Sequence, residues 1–216
     1  MQPALTQQAK QLAIQIIRDH VRQEKMAVLN ESMNVDHARR LFFIHNPKCM
    51  GTSLKQWLGL RVDNADHRFP TLTVNRMLWE AYTTIVVVRH PIDRFVSSFN
   101  FHCRSNYAGG YTVKYPDLKS WDMAEYFERM RLHEPLAIAP QWKYTVHLQS
   151  DAPPDFLIRM EDAAEDIQRL AGVLGIGETL PGLNRSSGRK ESPEPALLDQ
   201  LTDYYALDFQ LFGYTA

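Results

Sequence analysis

Lys48 stands in Asn46-Pro47-Lys48-Cys49-Met50-Gly51-Thr52-Ser53, where a cation and two hydroxyls surround a turn. A tight turn between a buried strand and a helix aims several backbone N–H groups at one point, and the helix dipole adds positive character there. With Lys48 supplying a full charge and Thr52 and Ser53 supplying hydroxyl donors, the stretch can cradle a phosphate. The bland alternative is an ordinary strand-to-helix turn with a solvated lysine. It is not a Walker A loop, whose lysine directly precedes the hydroxyl residue; here Lys48 lies four positions before Thr52. A magnesium-dependent ATPase would also carry an acid at the end of a neighbouring strand. The Val-rich run Thr84-Ile85-Val86-Val87-Val88 ends in Arg89 instead, which attracts a second anion.

These residues need elements to hold them. Leu41-Phe42-Phe43-Ile44-His45 is a short, continuous apolar run that suits a strand buried on both faces. Leu54, Trp57 and Leu58 follow at helical spacing behind the turn, and the Val-rich run repeats the logic, with Pro91 opening its helix. Asp122 and Glu125 form a capping-box pattern ahead of Tyr126, Phe127 and Met130. Residues 155–160 give a third strand, followed by a helix over Ile167, Leu170, Ala171 and Leu174 and by a final helix with an aromatic tail. Residues 105–120 and 182–195 read as polar surface loops. The alternation predicts an α/β fold: a central parallel sheet flanked by helices in three layers. Residues 1–34 form a separate amphipathic helical segment, a possible homodimer contact, and residues 35–216 form one domain.

Composition narrows the classes. With 216 residues, 44% of them hydrophobic, the chain can bury a sizeable core. A formal charge of −1 argues against a broad nucleic-acid surface, so any anion site is local. Two cysteines, Cys49 and Cys103, make no disulfide framework and read as free thiols. With no membrane-span pattern and no secretion signal at the amino end, the expected location is cytoplasmic. No His/Asp/Glu cluster has metal-ligand spacing, so no metal is expected.

Phe43 to Leu54 resembles the 5′-phosphosulfate loop of sulfotransferases that use 3′-phosphoadenosine 5′-phosphosulfate (PAPS), in the carbohydrate-acting form H-x-P-K-x-x-G-T-S-L. Val87 to Phe99 is similar to that family's 3′-phosphate motif, an arginine with a serine eight positions later. Pro140-Gln141, Arg159 to Asp162, Leu183 to Ser186 and Tyr205 to Tyr214 fall in the family's order, so the resemblance covers roughly residues 41–214. It implies a P-loop-like fold that binds PAPS and moves its sulfuryl group to an acceptor hydroxyl, on a small molecule or a carbohydrate. Lys48 would hold the 5′-phosphosulfate, with backbone N–H groups of Cys49, Met50, Gly51, Thr52 and Ser53. Arg89 and Ser97 would clamp the 3′-phosphate, with Arg189 and Lys190 as weaker candidates. Many relatives place glycine where Met50 stands, so a positive φ there would strain the loop.

Such a transfer needs a base for the acceptor proton, and relatives often carry a functional histidine between the cradle helix and the next strand. His67 is in that interval; His133 and Glu80 are the alternatives. His45 packs, His90 belongs to the cofactor motif, and His102 reads as a satisfied core histidine. Two rivals stay open: a P-loop kinase or phosphotransferase, and a non-catalytic nucleotide-binding protein.

Overall fold

The computed structural model describes residues 32–63, 66–177, 180 and 191–215. The chain runs β1 (Val35–Asp36), β2 (Leu41–Ile44), α1 (Gly51–Trp57), α2 (Pro70–Thr73), α3 (Arg76–Ala81) and β3 (Thr83–Val88). It continues with α4 (Pro91–Phe99), a π-helical turn (Asn100–Arg104), α5 (Gly110–Lys114), α6 (Met123–His133) and α7 (Pro135–Ile138). β4 (Phe156–Arg159), α8 (Ala163–Leu174), α9 (Pro195–Tyr204) and α10 (Ala206–Phe212) complete it. The predicted N-terminal helix lies outside the described residues apart from its last three positions, which lead by a turn into β1.

The sheet has the order β1-β2-β3-β4. β2, β3 and β4 are parallel, while β1 pairs antiparallel with β2 through Val35↔Phe42 and Asp36↔Leu41. Continuous apolar sequence suits the inner strands because both faces are covered. Ile85 and Val87 pack with Phe43, Leu54, Ile158 and Leu170 under α1 and α8. Val86 faces the other way, onto Phe42, Ile44, Trp79 and Tyr144. A third cluster, built on Phe95, Phe99, Tyr126 and Tyr205, joins α4, α6 and α9. Each fully buried Val, Ile or Leu stabilises the fold by about 1.5–3 kcal/mol, so these layers fix the ends of β2 and β3 side by side.

Asp122 caps α6 as its spacing predicts, accepting from the Glu125 N–H at 2.8 Å. Residues 105–120 depart from the surface-loop expectation. They contain α5 and a 3-10 turn at Leu118–Ser120, and Leu118 is fully buried against Trp121 and Tyr115. Polar neighbours on both sides conceal that single apolar anchor.

Candidate active site

β2 and β3 deliver two loops to the same edge of the sheet. The first enters α1 through backbone in the left-handed region, at Lys48 (φ 64°) and at the helix-entry residue Met50 (φ 49°). Neither is glycine, and each such residue costs roughly 1–2 kcal/mol. The strain expected at Met50 is therefore present. No side chain caps α1 and no acid occupies its first turn. Leu54 N–H donates to Met50 O, whereas among the described residues the N–H groups of Gly51, Thr52 and Ser53 find no acceptor. Those donors, with the unused Thr52 and Ser53 hydroxyls, face outward from the helix start and suit an anion.

Gly51 is required by a close approach. A Cβ there would lie 2.0 Å from His45 Nε2. That imidazole is buried and lies 4.2 Å, centroid to centroid, from the His67 ring, the two planes tilted by 58°. Burial, then the charges of His67 and Lys55, holds the His45 pKa down at about 3, so it is a neutral packing element.

The second loop brings Arg89 beside Lys48, with the guanidinium Nη1 3.5 Å from Lys48 O. Burial and the nearby Arg89 charge lower the Lys48 pKa to about 8. Among the described residues no carboxylate pairs with Lys48 or Arg89. Two cations next to unfilled N–H donors make a site that an anionic ligand completes. The Lys48 ammonium rests on the face of Phe101, 3.9 Å from the ring centroid. Ser97 is half-buried on α4, and its hydroxyl makes no hydrogen bond among the described residues. Arg189 and Lys190 lie outside the described residues. Nor do the described residues contain any group of three or more His, Cys, Asp or Glu placed to hold a metal ion.

His67 is at the same edge. Its Nδ1 is 3.0 Å from His45 O. A carbonyl only accepts, so Nδ1 carries the hydrogen and Nε2 keeps its lone pair. Burial lowers the His67 pKa, with the charges of Lys55 and Lys48 acting the same way. Both features keep an unprotonated nitrogen ready near neutral pH. The alternatives are placed otherwise: Glu80 is engaged by Arg76 and Ser150, and His133 is exposed in the last turn of α6.

A pH profile follows from these two groups. If His67 takes a proton and Lys48 holds an anion, activity would require neutral His67 and charged Lys48, and would fall in acid as His67 gains a proton and in alkali as Lys48 loses one. The acid limb of kcat/KM should lie below the ordinary histidine value of about 6.5. The alkaline limb should lie near the Lys48 value of about 8. An anion on Lys48 stabilises its charge, so the alkaline limb of kcat should move upward. An acid limb at or above the ordinary histidine value would remove His67 from the role.

Sequence reasoning missed the part that holds the two loops together. Gln141 Oε1 accepts from Asn46 Nδ2 and from the Arg89 N–H, each at 3.0 Å, and from the Cys49 thiol at 3.4 Å. Its Nε2 donates to Arg89 O at 2.7 Å. One buried amide thus ties the first loop to the second. Asp208 fixes it from behind, accepting the backbone N–H groups of Gln141 and Trp142 at 2.8 and 2.9 Å. The only sequence signal was an amide in a Pro-Gln pair. Cys49 and Cys103 are free thiols, and burial raises the Cys49 pKa to about 12, which makes it inert. His102 is only half satisfied, at Nδ1 by the Tyr126 hydroxyl at 2.7 Å, a departure from its expected core role.

The sequence model of the sulfotransferase family matches residues 31–215. No curated protein and no solved structure is matched by the chain.

Proposed function

We propose, from the premise that this chain belongs to the sulfotransferase family, that it moves a sulfuryl group from PAPS to a hydroxyl of a carbohydrate or glycoconjugate. The observation that carries the reading is the Lys48–Arg89 cation pair at the open start of α1, without a carboxylate partner among the described residues, beside an imidazole whose Nε2 is unprotonated. PAPS supplies the activated sulfuryl group. Lys48 and the N–H groups of Gly51, Thr52 and Ser53 would hold its phosphosulfate end and stabilise negative charge developing on the leaving phosphate oxygen. His67 Nε2 would take the proton from the acceptor hydroxyl, oriented by its Nδ1–H bond to His45 O. Arg89 and Ser97 would hold the 3′-phosphate, which distinguishes this nucleotide from ATP. Gln141 keeps the two anion-binding loops at a fixed separation.

The 3′-phosphate assignment is tested by calorimetry with adenosine 3′,5′-bisphosphate and adenosine 5′-phosphate. Charge-assisted hydrogen bonds contribute about 1.5–3 kcal/mol each, so losing the 3′-phosphate should weaken binding at least about tenfold. Arg89→Ala should erase most of that difference. Equal affinity of the wild type for the two nucleotides would sink the roles of Arg89 and Ser97.

A further inference from the structure

His102 has no part in proton removal by His67, yet it is built into the same site. It lies in the π-helical turn Asn100–Arg104 that continues α4. Such turns are rare and concentrate at functional sites. Phe101, Tyr107, Tyr111 and Tyr126 surround the ring, with centroids 5.1, 5.0, 5.1 and 5.9 Å away. Phe101, 40% exposed, carries the Lys48 ammonium on its face, which places His102 one ring away from that cation.

A chain of hydrogen bonds fixes the tautomer. Ser98 Oγ donates its one hydrogen to Ala137 O at 3.0 Å. In the 2.8 Å contact between Ser98 and Tyr126 the phenol must therefore donate. The phenol, its hydrogen spent, accepts from His102 Nδ1 at 2.7 Å. His102 Nε2 is thus an unprotonated acceptor. It has no hydrogen-bond partner among the described residues and is not one of their sealed, unpaired atoms, and the residue as a whole is 8% exposed. The chain ends on a carbonyl and cannot carry a proton away, so it holds the ring and does not relay.

We propose that His102 is a specificity-determining residue of the acceptor site: its Nε2 accepts a hydrogen bond from a second hydroxyl of the acceptor while His67 serves the reacting one, so that acceptors with two neighbouring hydroxyls are selected. The inference rests on the sulfuryl-transfer reading. As the acceptor oxygen bonds to sulfur, the sulfur–oxygen bond to the 5′-phosphate breaks and its electron pair leaves with that phosphate. The acceptor proton goes to His67, and His102 neither gains nor loses one. The charges of Lys48 and His67 both act on His102, so its lone pair is near that of His67; two such acceptors suit two O–H donors, and the aromatic collar offers apolar faces for the carbon skeleton between them.

Two substitutions separate this role from a structural one. His102→Asn keeps an N–H near Nδ1 for Tyr126 and removes Nε2, whereas His102→Gln restores an acceptor near Nε2 and gives up the bond to Tyr126. The probes are methyl glycosides with adjacent free hydroxyls and their singly deoxygenated counterparts. His102→Asn should raise KM for the diol glycosides about tenfold and leave kcat, the deoxy counterparts and adenosine 3′,5′-bisphosphate affinity unchanged. His102→Gln should recover much of the loss. In 15N NMR of the wild type, the His102 Nε2 signal should be that of an unprotonated nitrogen and should move with the diol glycosides alone. The opposite order of the variants, a fall in kcat without a change in KM, or a wild type indifferent to the second hydroxyl would each overturn the proposal. If the wild type binds the bisphosphate but sulfates no hydroxyl, the transfer reading itself fails and takes this inference with it.

Discussion

A His67→Ala protein should bind adenosine 3′,5′-bisphosphate as the wild type does and turn over about 10²–10⁴-fold more slowly, the usual cost of removing a positioned base. The separation follows from the geometry. Among the described residues His67 meets the cradle through the ring and carbonyl of His45, and none of the loop donors there hydrogen-bonds to its side chain. Its Nε2 is the unprotonated nitrogen, so the loss falls on proton removal and on kcat. The check is calorimetry for the bisphosphate alongside steady-state turnover of the folded variant. Turnover within about threefold of wild type would place the base elsewhere, since a positioned base is worth far more.

Lys48→Ala should damage both quantities. Bisphosphate affinity should fall about 10–100-fold, the value of one or two charge-assisted bonds. Turnover should fall by a further factor of about 10²–10³ if the ammonium stabilises charge that develops on the leaving oxygen, as proposed. Lys48 is half-buried without a carboxylate partner among the described residues, and its pKa is already lowered to about 8 by burial and by Arg89, so its charge is poised for an anion. Unchanged bisphosphate binding in Lys48→Ala would mean that the anion sits elsewhere, and the cradle assignment would fall with it.

The inner strands were legible because both of their faces are buried: Leu41–Ile44 and residues 85–88 of β3 are short continuous apolar runs of strand length, and β3 is rich in β-branched residues. The capped start of α6 was legible because Asp122 and Glu125 act locally. Lys48, Arg89 and His67 could be singled out because the proposed chemistry would call for those residue types and the turns around them are local. What stayed hidden depends on partners far apart in sequence. Gln141 bridges to Asn46 and Arg89 across 95 and 52 positions, and nothing in its own neighbourhood announces this. His102 sits on an apolar helix face like any core histidine; only the Ser98–Tyr126 chain shows which nitrogen is left unprotonated. β1 has two residues and owes its existence to the edge of β2, so no periodicity could reveal it.

The most direct measurement follows the sulfuryl group itself. The protein is incubated with 35S-labelled PAPS and a panel of glycosides in excess chelator, and label on the glycoside is counted against bisphosphate released. Lys48 and the N–H donors of α1 should carry the leaving-group charge unaided, since Arg89 stands where an ATPase strand would end in a magnesium-binding acid. Label should therefore reach a glycoside oxygen in equal amount to the bisphosphate formed, at the same rate with and without chelator. A reaction that stops in chelator and returns with magnesium, or one that transfers the γ-phosphate of ATP in its place, would contradict the account.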